Sequence, residues 1–330
     1  EQWNPGEQRW IFLHRYAYPL GAAHFGERQH VFASFDLRYD EHIYGFGENY
    51  GPLDKRGTHQ ALWLQEAFSN ASPAAYKQVP FYLSTRGYGL FVNTSNALRF
   101  NVGSLEHTAL SVTVDDTGLL DFYFIYGPSI KEILPRYTAI TGQPRVPPKW
   151  SFGLWMARIS YNQQQQVEAV AQQLRDHHIP CDVIHIDTDW FEYDWACDLQ
   201  FGPQKFPDPK SMTTRLQEQG FRVCLWQWPN MIVNTTMFAE GVQGEYLAKR
   251  TNGHPYIFAG FMGDAGFIDY SNPEAVSWVQ QKFYDLFEQG VAVIKVDFGE
   301  GAPPDAVYHA VPGAAMHNLY PLLYNKAIFE

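Results

Sequence analysis

Three apolar runs in this sequence end in side chains that can do chemistry. His185-Ile186-Asp187-Thr188-Asp189-Trp190 closes one, Leu225-Trp226-Gln227-Trp228 another, and Lys295-Val296-Asp297-Phe298-Gly299-Glu300 a third. Side chains alternate along an extended strand. Asp187 and Asp189 are therefore expected to share a face for as long as the strand lasts, as are Trp226 and Trp228, and Lys295 and Asp297. Burying an unpaired carboxylate costs roughly several kcal/mol, so repeated acids at strand ends need a reason. Any one of them is explained equally well as a helix cap or as a partner of Lys295 or Arg222. Three acids with two tryptophans favour a site. Glycoside cleavage suits the set: one carboxylate attacks the anomeric carbon, a second acid protonates the leaving oxygen, and other groups hold hydroxyls. Lys295, two residues before Asp297, would favour the charged, nucleophilic form of that carboxylate. The competing chemistry is a Schiff base on Lys295, in a barrel aldolase or isomerase.

The elements around these runs alternate. Residues 152–156 read as a buried strand, and Val167, Val170 and Leu174 as one face of a helix ending before Pro180. A strand follows over 181–187, then a helix over 209–219 with Met212 and Leu216 a turn apart, stopped by Gly220, then a strand over 223–228. Asn272-Pro273 is an N-cap with proline at the first helical position. Val276, Val279, Phe283 and Leu286 line that helix, Gly290 ends it, and residues 291–297 are the next strand. Apolar strands alternating with helices mean a parallel sheet covered on both faces. A doubly wound sheet and a (β/α)8 barrel both fit; in a barrel the C-terminal strand ends converge on one mouth. No G-x-G-x-x-G or P-loop is present, which weakens nucleotide-binding folds. The run Gln163-Gln164-Gln165-Gln166 reads as the solvated start of a helix, His177-His178 as a helix end, and His185 as a packed core histidine.

Before residue 129 the pattern differs. Short β-branched and aromatic runs at 31–37, 89–92 and 109–114, a turn at Asp115-Asp116-Thr117-Gly118, and a run at 119–126 predict an antiparallel β-sandwich. A short amphipathic helix over 129–140 carries Ile130, Ile133, Leu134 and Tyr137 on one face, and Pro135 is expected to kink or shorten it. Pro144, Pro147 and Pro148 make a stiff connector. The domain reading is thus a sandwich over 1–128, a connector over 129–149, and an alternating β/α unit over 150–330.

Composition excludes more than it assigns. A net charge of −11 argues against nucleic acid, which needs clustered Lys and Arg. Three cysteines and 12 histidines lack the spacing of a disulfide framework or a metal site, so no cofactor or metal is expected. No apolar run approaches the ~20 residues that span a bilayer. Aromatics at 16% suit either a β-rich core or rings that stack on sugars. Asn70-Ala71-Ser72, Asn93-Thr94-Ser95 and Asn234-Thr235-Thr236 fit the glycosylation pattern. The chain starts at Glu1 rather than Met. A cytoplasmic location is favoured over secretion, and an oligomer is compatible with the sequence.

Several motifs, in order, resemble glycoside hydrolase family 31 in its α-xylosidase/α-glucosidase-like branch. Lys295-Val296-Asp297-Phe298-Gly299-Glu300 is similar to its nucleophile signature. Tyr44-Gly45-Phe46-Gly47-Glu48, Lys77-Gln78-Val79-Pro80-Phe81-Tyr82 and the run from Arg86 to Asn93 resemble its sandwich. Ser151-Phe152-Gly153-Leu154-Trp155, Phe206-Pro207-Asp208-Pro209, Ile268-Asp269-Tyr270-Ser271-Asn272-Pro273 and Met316-His317-Asn318 follow. The resemblance implies a β-sandwich followed by a (β/α)8 TIM barrel, of which about the first four β/α units are present. It implies retaining cleavage of a terminal non-reducing α-linked xylose or glucose on an oligosaccharide or glycoside. Asp297 would be the nucleophile, and Asp187, Thr188, Asp189, Trp190, Trp226, Lys295 and Phe298 would bind substrate. Where the α-xylosidases tend to have a small and then an aromatic residue, this chain has Thr188 and Asp189. The extra acid is expected to take another hydroxyl, such as the 6-hydroxyl of glucose. The family's acid/base lies well beyond the nucleophile and matches none of Glu300, Asp305 or Glu330. The expectation is therefore an internal fragment of an enzyme; the alternatives are a non-catalytic carbohydrate-binding homologue or inactive fragment, or an α-glucosidase/α-galactosidase-type member rather than an α-xylosidase.

Overall fold

The computed structural model describes residues 29–67, 72–260 and 263–330 in full, and the backbone of short strands within residues 1–28. Asn70 and Ala71 of the first glycosylation triplet lie outside the described residues. The chain divides into two units, Glu1–Gln143 and Pro144–Glu330.

In the first unit, β1 (Gln2–Asn4) pairs with β2 (Arg9–Ile11). Then come β3 (Gly21–Phe25), β4 (Arg28–Asp36), β5 (Ile43–Glu48), β6 (Thr58–Leu62), β7 (Lys77–Ser84), β8 (Tyr88–Val92), β9 (Leu98–Val102), β10 (Ala109–Asp115) and β11 (Phe122–Tyr126). They form antiparallel sheets of order β3-β4-β10-β9-β6 and β11-β8-β7-β5. The turn at 115–118 thus connects two sheets rather than two paired strands. Alternation builds the core: Leu110, Val112 and Val114 stand in register with Val102, Phe100 and Leu98 on one side and with Phe35, Ala33 and Val31 on the other. Opposite them the second sheet buries Ile43, Phe46, Tyr82, Leu90 and Val92.

The Tyr44-Gly45-Phe46-Gly47-Glu48 motif is a bulge, with the β5–β7 register shifting between Gly45 and Gly47. Phe46 takes φ 67° and is wholly buried, its ring 4.9 Å from that of Phe100 and 5.7 Å from that of Tyr82. A Cβ on Gly47, at φ 80°, would collide with the carbonyl oxygen of Lys77. The glycine is therefore what lets the bulge close.

Helix α1 (Ile130–Thr141) continues through Pro135, which therefore does not end it. Pro135 lies in its second turn, and the one donor it removes is aimed at the carbonyl of Lys131, an exposed residue. Ile133 is fully buried, and Tyr137 stacks on Phe81 at 3.9 Å. The helical part of segment 129–149 thus packs in the first unit, and Pro144 opens the second.

In the second unit the strands are β12 (Trp155–Ala157), β13 (Val183–Ile186), β14 (Arg222–Gln227), β15 (Asn230–Ile232), β16 (Ile257–Gly260), β17 (Gly263–Phe267) and β18 (Val293–Val296). The helices are α2 (Gln164–Asp176), α3 (Pro209–Glu218), α4 (Thr236–Gln243), α5 (Pro273–Glu288) and α6 (Gly313–Phe329). A parallel sheet runs β12-β13-β14-β18 in chain order. Sequential order without reversal is that of a barrel, not of a doubly wound sheet. Between β14 and β18 the chain inserts an antiparallel sheet, β15-β17-β16, which short, glycine-containing runs did not announce.

Ile184, Ile186, Val223 and Leu225 face the helices, meeting Val167, Ala171 and Leu174 of α2, Met212 and Leu216 of α3, and Val279, Phe283 and Leu286 of α5 in one core. Asn272 caps α5, accepting from Glu274 N at 2.9 Å, and Gly290 follows its end at φ 90°. His177 and His178 follow the end of α2, with His178 at φ 54°.

Two expectations are corrected. Residues 152–156 do not form a buried strand: Lys149–Phe152 is a 3-10 turn, Phe152 is 74% exposed, and among the described residues β12 pairs only with β13, at the edge of the sheet. Gln164 is not solvated but buried, its side chain accepting from Asp208 N at 3.0 Å and donating to Glu168 at 3.1 Å. No helix among the described residues is long and apolar enough to cross a membrane.

Candidate active site

The face of the parallel sheet away from the helices carries the chemistry. Register pairs Ala157 with His185 and His185 with Cys224, then Cys224 with Val293 and Trp226 with Lys295. Alternation puts His185 and Asp187, Cys224 and Trp226, and Lys295 and Asp297 on this same face. At its C-terminal edge three of the expected residues meet. Lys295 Nζ lies 3.2 Å from Asp187 Oδ2 and 3.5 Å from Asp297 Oδ2. Trp226 Nε1 donates to Asp297 Oδ2 at 2.7 Å, and Phe298 N donates to Asp297 Oδ1 at 3.2 Å. The Asp297 side chain remains 40% exposed, so it is held yet reachable. An ammonium engaged by two carboxylates has no free lone pair, which disfavours the Schiff-base reading of Lys295.

The backbone of Asp297 is also fixed. Its N–H donates to Gln227 O at 3.0 Å, and its carbonyl accepts from Tyr324 Oη of α6 at 3.4 Å. Tyr324 bonds Gln227 as well, and burial pushes its hydroxyl far up, so it remains a donor. His317 on the same helix is buried, with Nδ1 2.6 Å from Ala302 O.

Phe298, at φ 59°, packs in an aromatic group that sequence reading did not foresee. Trp195 lies 4.8 Å from Trp226, 5.2 Å from Trp228 and 5.8 Å from Phe298, ring to ring. Trp195, Cys197 and Leu199, at alternate positions, all have φ between 51° and 66°, a left-handed range that costs energy in non-glycine residues. No periodicity marks such a loop. Only the tryptophan content hinted at it.

Other expected residues do not join the cluster. The strand ends at Ile186, so alternation stops before Asp189, whose carboxylate pairs with Lys205. Trp190 is fully buried, donating from Nε1 to Trp226 O at 2.8 Å and packing on Phe191 and Phe201. Thr188 is buried, and its carbonyl accepts from Trp195 N at 3.1 Å. Asp305 accepts from Tyr256 Oη at 2.9 Å, and Glu330 pairs with Lys326. His185, read as core, instead looks into the site: its Nε2 is 3.2 Å from Asp187 Oδ2. Among the described residues no His/Cys/Asp/Glu group could hold a metal ion.

Comparison with known proteins agrees with this architecture. An α-xylosidase of Lactiplantibacillus pentosus is 37% identical over 88% of this chain and 38% of its own length. An α-xylosidase of Emericella nidulans is 34% identical over 93% of this chain and 40% of its own. The chain thus spans about two fifths of these relatives. Among solved structures, a family 31 dextranase of Flavobacterium johnsoniae complexed with glucose superposes with a TM-score of 0.85 at 26% identity, over 93% of this chain and 39% of that one. The family model for the glycosyl hydrolase 31 N-terminal galactose mutarotase-like domain matches residues 5–101. That for the glycosyl hydrolases family 31 TIM-barrel domain matches residues 144–330, more than half the sequence and all of the strand-end cluster. The chain therefore belongs to glycosyl hydrolase family 31: a β-sandwich followed by strands of a (β/α)8 barrel.

Proposed function

We propose that this chain carries the nucleophile side of a retaining α-glycosidase site, with Asp297 as the nucleophile. The supporting observation is the setting of its carboxylate: bonded by Trp226 Nε1 at 2.7 Å, 3.5 Å from Lys295 Nζ, and still open to solvent. Asp297 attacks the anomeric carbon of a terminal non-reducing α-sugar, and the glycosyl–Asp297 ester is then hydrolysed. Asp187 and Lys295 hold the sugar hydroxyls, and Trp226, Trp195 and Phe298 form the apolar wall. The proton donor is assigned to no residue of these 330. The substrate is an α-xyloside before an α-glucoside, in keeping with the two α-xylosidases above 30% identity. Asp189 gives no support for a 6-hydroxyl site, because its carboxylate is occupied by Lys205.

The test uses the complete protein with p-nitrophenyl α-xyloside and α-glucoside. Asp297→Asn is expected to lower kcat on the order of 10⁴-fold while the fold persists. Activity within tenfold of the wild type would remove Asp297 from the role, and a higher kcat/KM on the glucoside would reverse the substrate order.

A further inference from the structure

His185 is used by nothing in the chemistry above, yet it sits directly beneath it. On the inner face of β13 it lies one alternation below Asp187, in a layer with Ala157, Cys224 and Val293. Barrel layers of this kind are ordinarily filled by branched apolar side chains, so an imidazole there needs an explanation. Its Nε2 is shielded from solvent and makes no hydrogen bond. The nearby acceptor is Asp187 Oδ2 at 3.2 Å, approached at too oblique an angle. The same oxygen receives Lys295 Nζ at 3.2 Å.

A shielded ring nitrogen facing a carboxylate becomes satisfied when one of the two turns slightly. We infer that His185 is a positioning residue, whose neutral imidazole donates from Nε2 to Asp187 when a sugar occupies the site and holds that carboxylate under the sugar hydroxyls. Sugar hydroxyls compete for Lys295, and the bond from below keeps Asp187 from following them. The inference rests on the glycosidase reading for its consequence, though not for the His185–Asp187 pair itself.

The charge state suits the role. Burial lowers the imidazole's affinity for a proton; Asp187 and Asp297 oppose this, and Lys295 adds to it, leaving the group below its ordinary value. The titratable neighbours are Asp187 just past its own strand, Cys224 on β14, Lys295 on β18 and Asp297 just past it, while β12 contributes Ala157. Burial pushes the Cys224 thiol up to about 12, so it stays uncharged. A neutral imidazole supplies one N–H without adding a cation that would rival Lys295.

The experiment follows His185 by imidazole NMR titration of the complete protein, wild type and Asp187→Asn, alongside kinetics of His185→Phe and His185→Gln. The His185 midpoint is expected below the ordinary histidine value, and lower still in Asp187→Asn, which loses an opposing carboxylate. A midpoint unmoved by Asp187→Asn would overturn the inference whether or not either His185 variant folds. His185→Phe, lacking the donor, is expected to raise KM about tenfold with a smaller change in kcat, whereas His185→Gln stays within about threefold of wild type. Equal losses in both variants would show a merely structural residue and sink the proposal. A wild-type protein that cleaves no α-glycoside defeats the glycosidase reading instead, and the NMR coupling still decides the pair.

Discussion

In the sandwich, alternate residues of β10 are Leu110, Val112 and Val114, and each turns toward an opposing sheet. In the parallel sheet the alternate residues leading out of β13 are Val183, His185 and Asp187. Period-two alternation is common to both, but its product differs. Two facing sheets give the sandwich an inner side closed on itself, so the best filler is apolar volume. The parallel sheet has its apolar requirement met on the helix side by Ile184, Ile186, Val223 and Leu225, and its other side is free to place groups that react. Mutations should therefore hurt the two regions in different ways: stability in the first, turnover in the second.

The largest expected effect in the sandwich is Phe46→Ala. The ring is wholly buried between Tyr82 and Phe100, and its removal should cost about 3–5 kcal/mol. Urea unfolding of the complete protein, followed through the sandwich transition, measures it. A loss below about 1 kcal/mol would mean that the bulge, not the ring, carries this corner.

How much of this was legible in the sequence follows from the same comparison. Helix α5 was readable nearly to the residue, because Asn272, Pro273 and Gly290 act locally and its apolar face repeats. The Lys295–Asp297 pair was readable because both residues flank the end of one strand, where parity holds. Asp189 was beyond the reach of parity, because the strand stops at Ile186 and the carboxylate pairs with Lys205. Gln164 was misplaced because its burial depends on Asp208, 44 residues away. Trp195 and Tyr324 reach the site through a loop of left-handed residues and through a helix that returns to the strand ends. Tertiary placement of that kind leaves no local period. The family resemblance supplied what periodicity lacked, above all the choice of a barrel.

Asp187→Asn against Asp189→Asn sharpens the boundary of the site. Asp187 touches Lys295 and faces the mouth; without its charge, kcat/KM should fall about 10–100-fold, the worth of a charged hydrogen bond. Asp189 holds Lys205; its amide variant should lose about 1 kcal/mol of stability or less and keep kcat/KM within about twofold of wild type. A large rise in KM for Asp189→Asn, confined to the glucoside, would return that acid to the subsite.

The smallest effect tests whether scaffold and chemistry separate within the second unit itself. Asn272 caps α5 through Glu274 N at 2.9 Å, and its own N–H donates to Asp269 O at 3.0 Å. Asp269 in turn accepts from Ser271 Oγ and His309 N, both at 2.6 Å, so the cap belongs to a network that fastens loops rather than to the strand-end cluster. Asn272→Ala should lower stability by about 1 kcal/mol, and Asn272→Ser should recover most of it, because a hydroxyl caps nearly as well as an amide. Because α5 sets where β18 begins, a displaced helix would move Lys295 and Asp297 together. If kcat/KM falls in Asn272→Ala while thermal stability holds, the helix start is tuning the site, and the division between supporting and reacting faces fails there.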